Sequence, residues 1–113
     1  MSYEQRAGGY LQEQGYEILE YNYHCPSGEV DIIARKDGCI AFCEVKYRKT
    51  AGCGHPLEAI TRKKQLALSS CARYYLAVHQ MIQVPCRFDV IGFLGEEIIW
   101  IQDAFAYQGR LRW

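Results

Sequence analysis

Two β-rich segments flanking Lys36-Asp37-Gly38 constrain this chain more than any other feature in it. Residues 28–35 and 39–48 are crowded with β-branched and aromatic side chains, and Asp-Gly between two such segments is a strong hairpin signal. Whether the loop has two residues or four, pairing outward from it sets Lys36 opposite Cys39, Ile33 opposite Phe42, Asp31 opposite Glu44 and Glu29 opposite Lys46. Side chains along a strand alternate faces, so Glu29, Asp31, Glu44 and Lys46 are expected to project together. Val30, Ile32, Ala34, Ala41, Cys43, Val45 and Tyr47 would form the other face, which is largely apolar and suited to packing against a helix.

Two carboxylates directly opposite one another in a sheet have Cβ atoms about 4.5–5.5 Å apart and repel. A hard divalent cation relieves that repulsion most simply, because Mg2+ favours one or two carboxylates completed by waters. Lys46 follows Glu44 on the same face, where an ammonium could orient or deprotonate an attacking water and neutralise charge building on a phosphate. Acids that hold a cation beside a lysine make a site suited to phosphodiester hydrolysis. The alternative is a solvated face on which Glu29 pairs with Lys46, an interaction worth about 0–1 kcal/mol.

The remaining chain supplies the frame. Tyr3, Ala7, Tyr10 and Leu11 recur at helical spacing and Gly15 follows as a stop, which predicts a helix over 3–14. A strand is expected over 16–23. The small-residue loop Thr50-Ala51-Gly52-Cys53-Gly54 precedes Pro56, which suits the first turn of a second helix running to residue 78. Leu57, Ile60, Leu68, Cys71, Ala72, Tyr75 and Leu76 would form its buried stripe, leaving Arg62, Lys63 and Lys64 outside it. Strands over 87–94 and 98–104 follow, joined by Gly95-Glu96-Glu97. The expected order is α-β-β-β-α-β-β, an α/β domain over 1–113 with a mixed sheet of about five strands covered by helices. Asp89, inside an apolar run, is expected to serve structure through hydrogen bonds.

Half the residues are apolar, which argues for a packed globular domain. The N-terminus lacks the apolar segment of a signal peptide and no stretch approaches the ~20 apolar residues that cross a bilayer, so a cytoplasmic protein without membrane association is expected. Its six cysteines are accordingly expected as free thiols. There is no C-x-x-C pair to suggest structural zinc, no local support for an activated Cys–His nucleophile, and no phosphate-cradling or dinucleotide fingerprint. A formal net charge of zero argues, taken alone, against nucleic-acid binding. The charge is unevenly spread, however: residues 46–73 carry seven bases against one acid, and residues 1–31 carry six acids against one base.

Gly28-Glu29-Val30-Asp31-Ile32-Ile33-Ala34-Arg35 and Phe42-Cys43-Glu44-Val45-Lys46-Tyr47-Arg48 resemble the two signature strands of the YraN-like proteins. These are regarded as relatives of archaeal Holliday junction resolvases within the restriction-endonuclease-like superfamily. Glu4 with Tyr10-Leu11 is similar to the family's first helix, and Gly15-Tyr16-Glu17-Ile18-Leu19 to its first strand. Pro56-Leu57-Glu58-Ala59 and Lys64-Gln65 resemble its central helix, and Arg87-Phe88-Asp89-Val90 its late strand. Tyr3 departs from the family's frequent Gly, and Cys43 from its common Val.

The resemblance implies a restriction-endonuclease-like core and a metal-dependent endonuclease acting on DNA, with branched or structured DNA as its substrate. Carried over residue by residue, it makes Asp31 and Glu44 metal ligands, the Val45 carbonyl a third, Lys46 the catalytic lysine, and Glu4 the first-helix acid that completes the site. Glu29 and Gln65 become supporting residues. Arg48, Lys49, Arg62, Lys63 and Lys64 would hold the phosphate backbone. The implied cofactor is Mg2+ or Mn2+, the implied partner is DNA, and the dimeric state of resolvases implies a homodimer. A rival reading keeps the fold as a nucleic-acid-binding module or adaptor in repair or replication, with slow or absent catalysis. A third, a purely structural interaction protein, predicts neither metal uptake nor nucleic-acid binding.

Overall fold

The structure, a computed structural model, describes residues 1–48 and 60–108 of the chain. Its elements follow the expected order: α1 (Tyr3–Glu13), β1 (Glu17–Cys25), β2 (Gly28–Lys36), β3 (Cys39–Arg48), α2 (Arg62–Val78), β4 (Cys86–Leu94) and β5 (Glu97–Phe105). The strands form one sheet in the order β1-β2-β3-β4-β5. β3 and β4 are parallel, while the other neighbours are antiparallel. The fold is thus a mixed five-stranded sheet flanked by two helices.

The central hairpin forms because Asp37 and Gly38 both adopt positive φ, 52° and 77°, which matches the right-handed twist of the strands they join. Pairing runs outward from Lys36↔Cys39 through Ile33↔Phe42 to Ile32↔Cys43, in the register expected from the turn. The ladder stops there, before Asp31 and Glu44.

α1 opens with a capping box, in which Ser2 Oγ accepts the Gln5 N–H at 3.1 Å and Gln5 Oε1 accepts the Ser2 N–H at 3.0 Å. Its Ala7 and Leu11 pack on Ile32, Ala34, Ala41, Cys43, Ile91 and Phe93. Gly9, inside this helix, has open space where a Cβ would stand. Gly9→Ala is therefore expected to stabilise the fold by about 0.5–1 kcal/mol. The gain should appear as a higher urea midpoint at constant slope, and an unchanged midpoint would contradict a helix through Gly9.

α2 starts later than its sequence suggests. Thr61 is extended (φ −68°, ψ 164°) and caps the helix, its Oγ1 accepting the Lys64 N–H at 3.1 Å. That corrects the expectation of an unbroken helix from Pro56, because an extended Thr61 cannot lie within one. Pro56, Leu57 and the preceding small-residue loop lie outside the described residues. Leu68, Cys71, Ala72, Tyr75 and Leu76 pack on Val30, Ile33, Ile40, Phe42 and Phe88, as the stripe foretold.

Consecutive residues of β2 and β3 thus enter different cores, with Ile33, Ile40 and Phe42 under α2 and Ile32, Ala34, Ala41 and Cys43 under α1. Only one of these faces was expected to be apolar; both are covered. Val30, expected beside Ile32, instead joins Ile33 under α2, so strict alternation fails at Asp31.

Cys25 and Cys71 form a disulfide with Cα atoms 5.8 Å apart, tying the end of β1 to α2. This corrects the expectation of free thiols for that pair, since the fold sets Cys71 of the buried stripe over the strand end. Cys39, Cys43 and Cys86 are free. Among the described residues no helix is long and apolar enough to cross a membrane.

Candidate functional site

The site begins with a backbone amide. On β3 the Ile40 N–H reaches the Pro85 carbonyl, just before β4, and the Arg48 carbonyl accepts the Gly95 N–H, just after it. Even-numbered residues of β3 therefore direct their backbone groups to β4 and odd-numbered ones to β2. After Cys43, the next amide turned toward β2 belongs to Val45, and a continued ladder would pair it with Val30. Instead Asp31 Oδ2 accepts the Val45 N–H at 2.8 Å. A side chain takes the place of a main-chain acceptor, which ends the ladder and accounts for the shift of Val30. By the same alternation the Val45 carbonyl is turned toward β2, like its N–H.

Glu44 stands on the α2 side and is only 2% exposed. Burying a carboxylate costs several kcal/mol unless it is well compensated. The compensation comes from two elements: Lys46 Nζ of β3 at 3.5 Å and Lys64 Nζ of α2 at 3.1 Å, both on Oε2. The Asp31 carboxyl is close enough to Glu44 to feel its charge. Burial first, then the neighbouring Glu44 carboxyl and its charge, push Asp31 up to about 7, against the Val45 N–H and Lys64, which pull it down. Such a pair is too close for both members to ionise without a countercharge.

Carboxylate and main-chain carbonyl oxygens are hard donors, the kind that hard divalent cations such as Mg2+ take. Among the described residues no group of three His, Cys, Asp or Glu converges as a metal cage. Glu4 accordingly does not join Asp31 and Glu44. It lies in the first turn of α1, whose neighbouring Tyr3 ring stacks on Tyr47 at 4.5 Å, so α1 starts at the same end of β3 but over the opposite face.

The other expected residues separate. Glu29 faces His24 of β1, with Oε2 3.4 Å from His24 Nε2, and does not stand opposite Lys46 because the β2–β3 ladder ends before reaching it. Gln65 Nε2 donates to the Ile60 carbonyl at 3.2 Å and so secures the entry to α2. Arg48 Nη1 donates to the Tyr47 carbonyl at 3.0 Å. Arg62 and Lys63 are exposed, and Lys49 lies outside the described residues. Three bases and no acid occupy the first turn of α2, against the helix dipole, an arrangement that costs about 0.3–1 kcal/mol per exposed charge.

Lys64 was expected outside the buried stripe with its two neighbours, but it is half-buried against Glu44. The signal lay in the periodicity, because Lys64, Leu68, Cys71 and Tyr75 continue one helical face.

A second buried charge serves the core. Asp89 Oδ1 accepts from Arg87 Nε at 2.9 Å and the Asp103 N–H at 3.0 Å, and Oδ2 from Arg87 Nη2 at 3.1 Å and Trp100 Nε1 at 3.0 Å. Arg87 also donates to the Tyr16 hydroxyl. Burial would lower its basicity, but these partners outweigh it and raise it above the usual guanidinium value. Asp89 thus has the structural place expected for it.

The molecule is an α/β protein whose middle strand presents a buried, doubly lysine-paired glutamate beside a second carboxyl. It belongs to the uncharacterised protein family UPF0102, whose model matches residues 3–93. It is similar to the UPF0102 protein of Lachnoclostridium phytofermentans, 50% identical over 107 residues that cover 94% of this chain and 91% of the relative. A UPF0102 protein of Fusobacterium nucleatum is 41% identical over 101 residues, covering 89% and 85%. One from Shewanella loihica is 40% identical over 102 residues, covering 90% and 89%.

Proposed function

We propose that this chain is a divalent-cation-dependent endonuclease with a restriction-endonuclease-like core that hydrolyses DNA phosphodiester bonds, branched DNA being the substrate its resemblance to resolvases favours. The observation that carries this reading is the meeting of Asp31 and Glu44 at the broken end of the β2–β3 ladder, next to Lys46. Asp31, Glu44 and the Val45 carbonyl would hold Mg2+ or Mn2+. When bound, such an ion supplies Lewis-acid polarisation of the phosphate and a water activated for attack.

The chain's own groups do the rest. The Asp31–Val45 hydrogen bond fixes the carboxyl against β3, so the oxygen donors are positioned before substrate arrives. Lys46 sets its ammonium where charge accumulates as water adds to phosphorus and the ester P–O bond breaks, the leaving oxygen ending as a hydroxyl. Arg48, Lys49, Arg62 and Lys63 would neutralise flanking phosphates and give binding its salt dependence. Glu4, which the resemblance made a further ligand, lies over the opposite face of the sheet and is left out of this proposed metal site.

The test is cleavage of a four-way junction, a linear duplex and a single strand by the purified chain, with Mg2+, with Mn2+ and with chelator. Metal-dependent scission, strongest on the junction, is expected, whereas equal products with and without chelator would reject the assignment. One observation favours the rival reading of a binding module with little turnover: Glu44 is already satisfied by two lysines. Salt-sensitive DNA binding without scission in any metal would decide for it.

A further inference from the structure

Lys64 is the side chain at this site whose position the nuclease reading leaves unused. Its Nζ approaches Glu44 Oε2 more closely than does Lys46 of the sequence motif, 3.1 Å against 3.5 Å, and the two ammoniums meet on one oxygen. They arrive from opposite walls, Lys46 from β3 and Lys64 from α2. A lysine that only followed the DNA backbone would keep its charged end in water, as exposed Arg62 and Lys63 do. Lys64 is turned inward instead, at the end of the helix face that carries the core.

An oxygen that serves a divalent cation cannot also hold two ammoniums nearby, because the like charges repel strongly at such distances. With Glu44 so engaged, Lys46 and Lys64 both need another anion within reach. The anion that the nuclease reading brings to that spot is the phosphodiester to be cut.

We propose that Lys64 is a second catalytic lysine, contacting a non-bridging oxygen of the scissile phosphate from the α2 side while Lys46 contacts the phosphate from β3. The proposal rests on the nuclease reading and assigns to α2 half of the charge stabilisation. It also separates Lys64 from Arg62 and Lys63, whose contacts would be with flanking phosphates and carry no chemistry.

The test uses Lys64→Gln, which can still donate a hydrogen bond to Glu44 and so spares the fold, with Lys64→Arg as the conservative rescue and Lys63→Ala as the comparison. Circular dichroism checks that each variant is folded. Binding of a fluorescein-labelled four-way junction is followed by anisotropy without metal and with Ca2+ in place of Mg2+.

The native chain is expected to bind more tightly when Ca2+ is added, Lys64→Gln to lose that increment and Lys64→Arg to keep most of it. Lys63→Ala should weaken binding by the same factor in both conditions. In Mg2+, the single-turnover rate of Lys64→Gln at saturating DNA should fall about 100-fold. A Lys64→Gln protein that behaves like Lys63→Ala in both binding conditions and cleaves at the native rate overturns the proposal and leaves the nuclease reading intact. A native chain that never cleaves, but whose Ca2+-dependent increment vanishes in Lys64→Gln, rejects the enzyme and the catalytic role while retaining Lys64 as a phosphate contact. No Ca2+-dependent increment in the native chain, together with no cleavage, rejects both.

Discussion

Asp31→Asn is expected to lower metal-dependent DNA cleavage by about 1,000-fold or more while leaving the protein folded. The two effects separate because Asp31 has two tasks. As a carboxylate it faces Glu44 and would share a cation with it; as a hydrogen-bond acceptor it holds the Val45 N–H at 2.8 Å. Asparagine removes the charge but keeps an oxygen for the amide, and it also removes the like-charge conflict with Glu44. The melting temperature of Asp31→Asn should therefore equal or exceed that of the native chain. Asp31→Ala removes both tasks and should in addition lose about 1–3 kcal/mol, the penalty of an unpaired amide. Rates measured in Mg2+, paired with calorimetric titration of Mn2+ into native and Asp31→Asn protein, decide the matter. Native-like cleavage by the Asn variant would remove Asp31 from the chemistry.

The second large effect concerns stability alone. Asp89→Ala is expected to destabilise the fold by about 3–5 kcal/mol, the usual consequence of deleting one partner of a buried ion pair. The Asp89 side chain is 0% exposed and that of Arg87 20%, so the guanidinium would be left without its counterion. Trp100 Nε1 and the Asp103 N–H lose their acceptor at the same time. Global stabilities of about 5–15 kcal/mol make such a loss visible as partial unfolding near body temperature. Replacing both charges, Arg87→Met with Asp89→Leu, should recover much of the deficit, because apolar substitutes for a buried pair are often neutral or better. Urea titrations of the single and double variants supply the comparison. A loss below about 1 kcal/mol for Asp89→Ala would mean that water already screens the pair.

The elements and the hairpin register were legible because they follow from local chemistry. Asp37-Gly38 demanded a turn with two positive φ values, and pairing outward from it set Ile33 against Phe42 as found. The same logic brought Asp31 and Glu44 together. It failed where a side chain competes with the main chain: once Asp31 captures the Val45 amide, Glu29 is no longer carried toward Lys46, and Val30 changes sides. No periodicity encodes that substitution. Lys64 was misplaced for a different reason, since a charged residue at the end of an apolar helical stripe reads as surface until the opposing strand is known to bury a glutamate. The Cys25–Cys71 link was hidden because it depends on which strand end lies beneath α2.

The parallel pairing of β3 with β4 has a consequence for how the molecule is made. The meander β1–β2–β3 and the hairpin β4–β5 can each assemble from neighbours in the chain, but joining them needs the polypeptide to leave the sheet after Arg48 and return at Cys86. Closing that excursion costs configurational freedom before any distant contact compensates, which makes it the slow event in folding. Until then β3 offers a bare, apolar edge of the kind that recruits strands from other molecules. A nascent chain is accordingly most vulnerable to aggregation after its third strand is synthesised and before its fourth is complete.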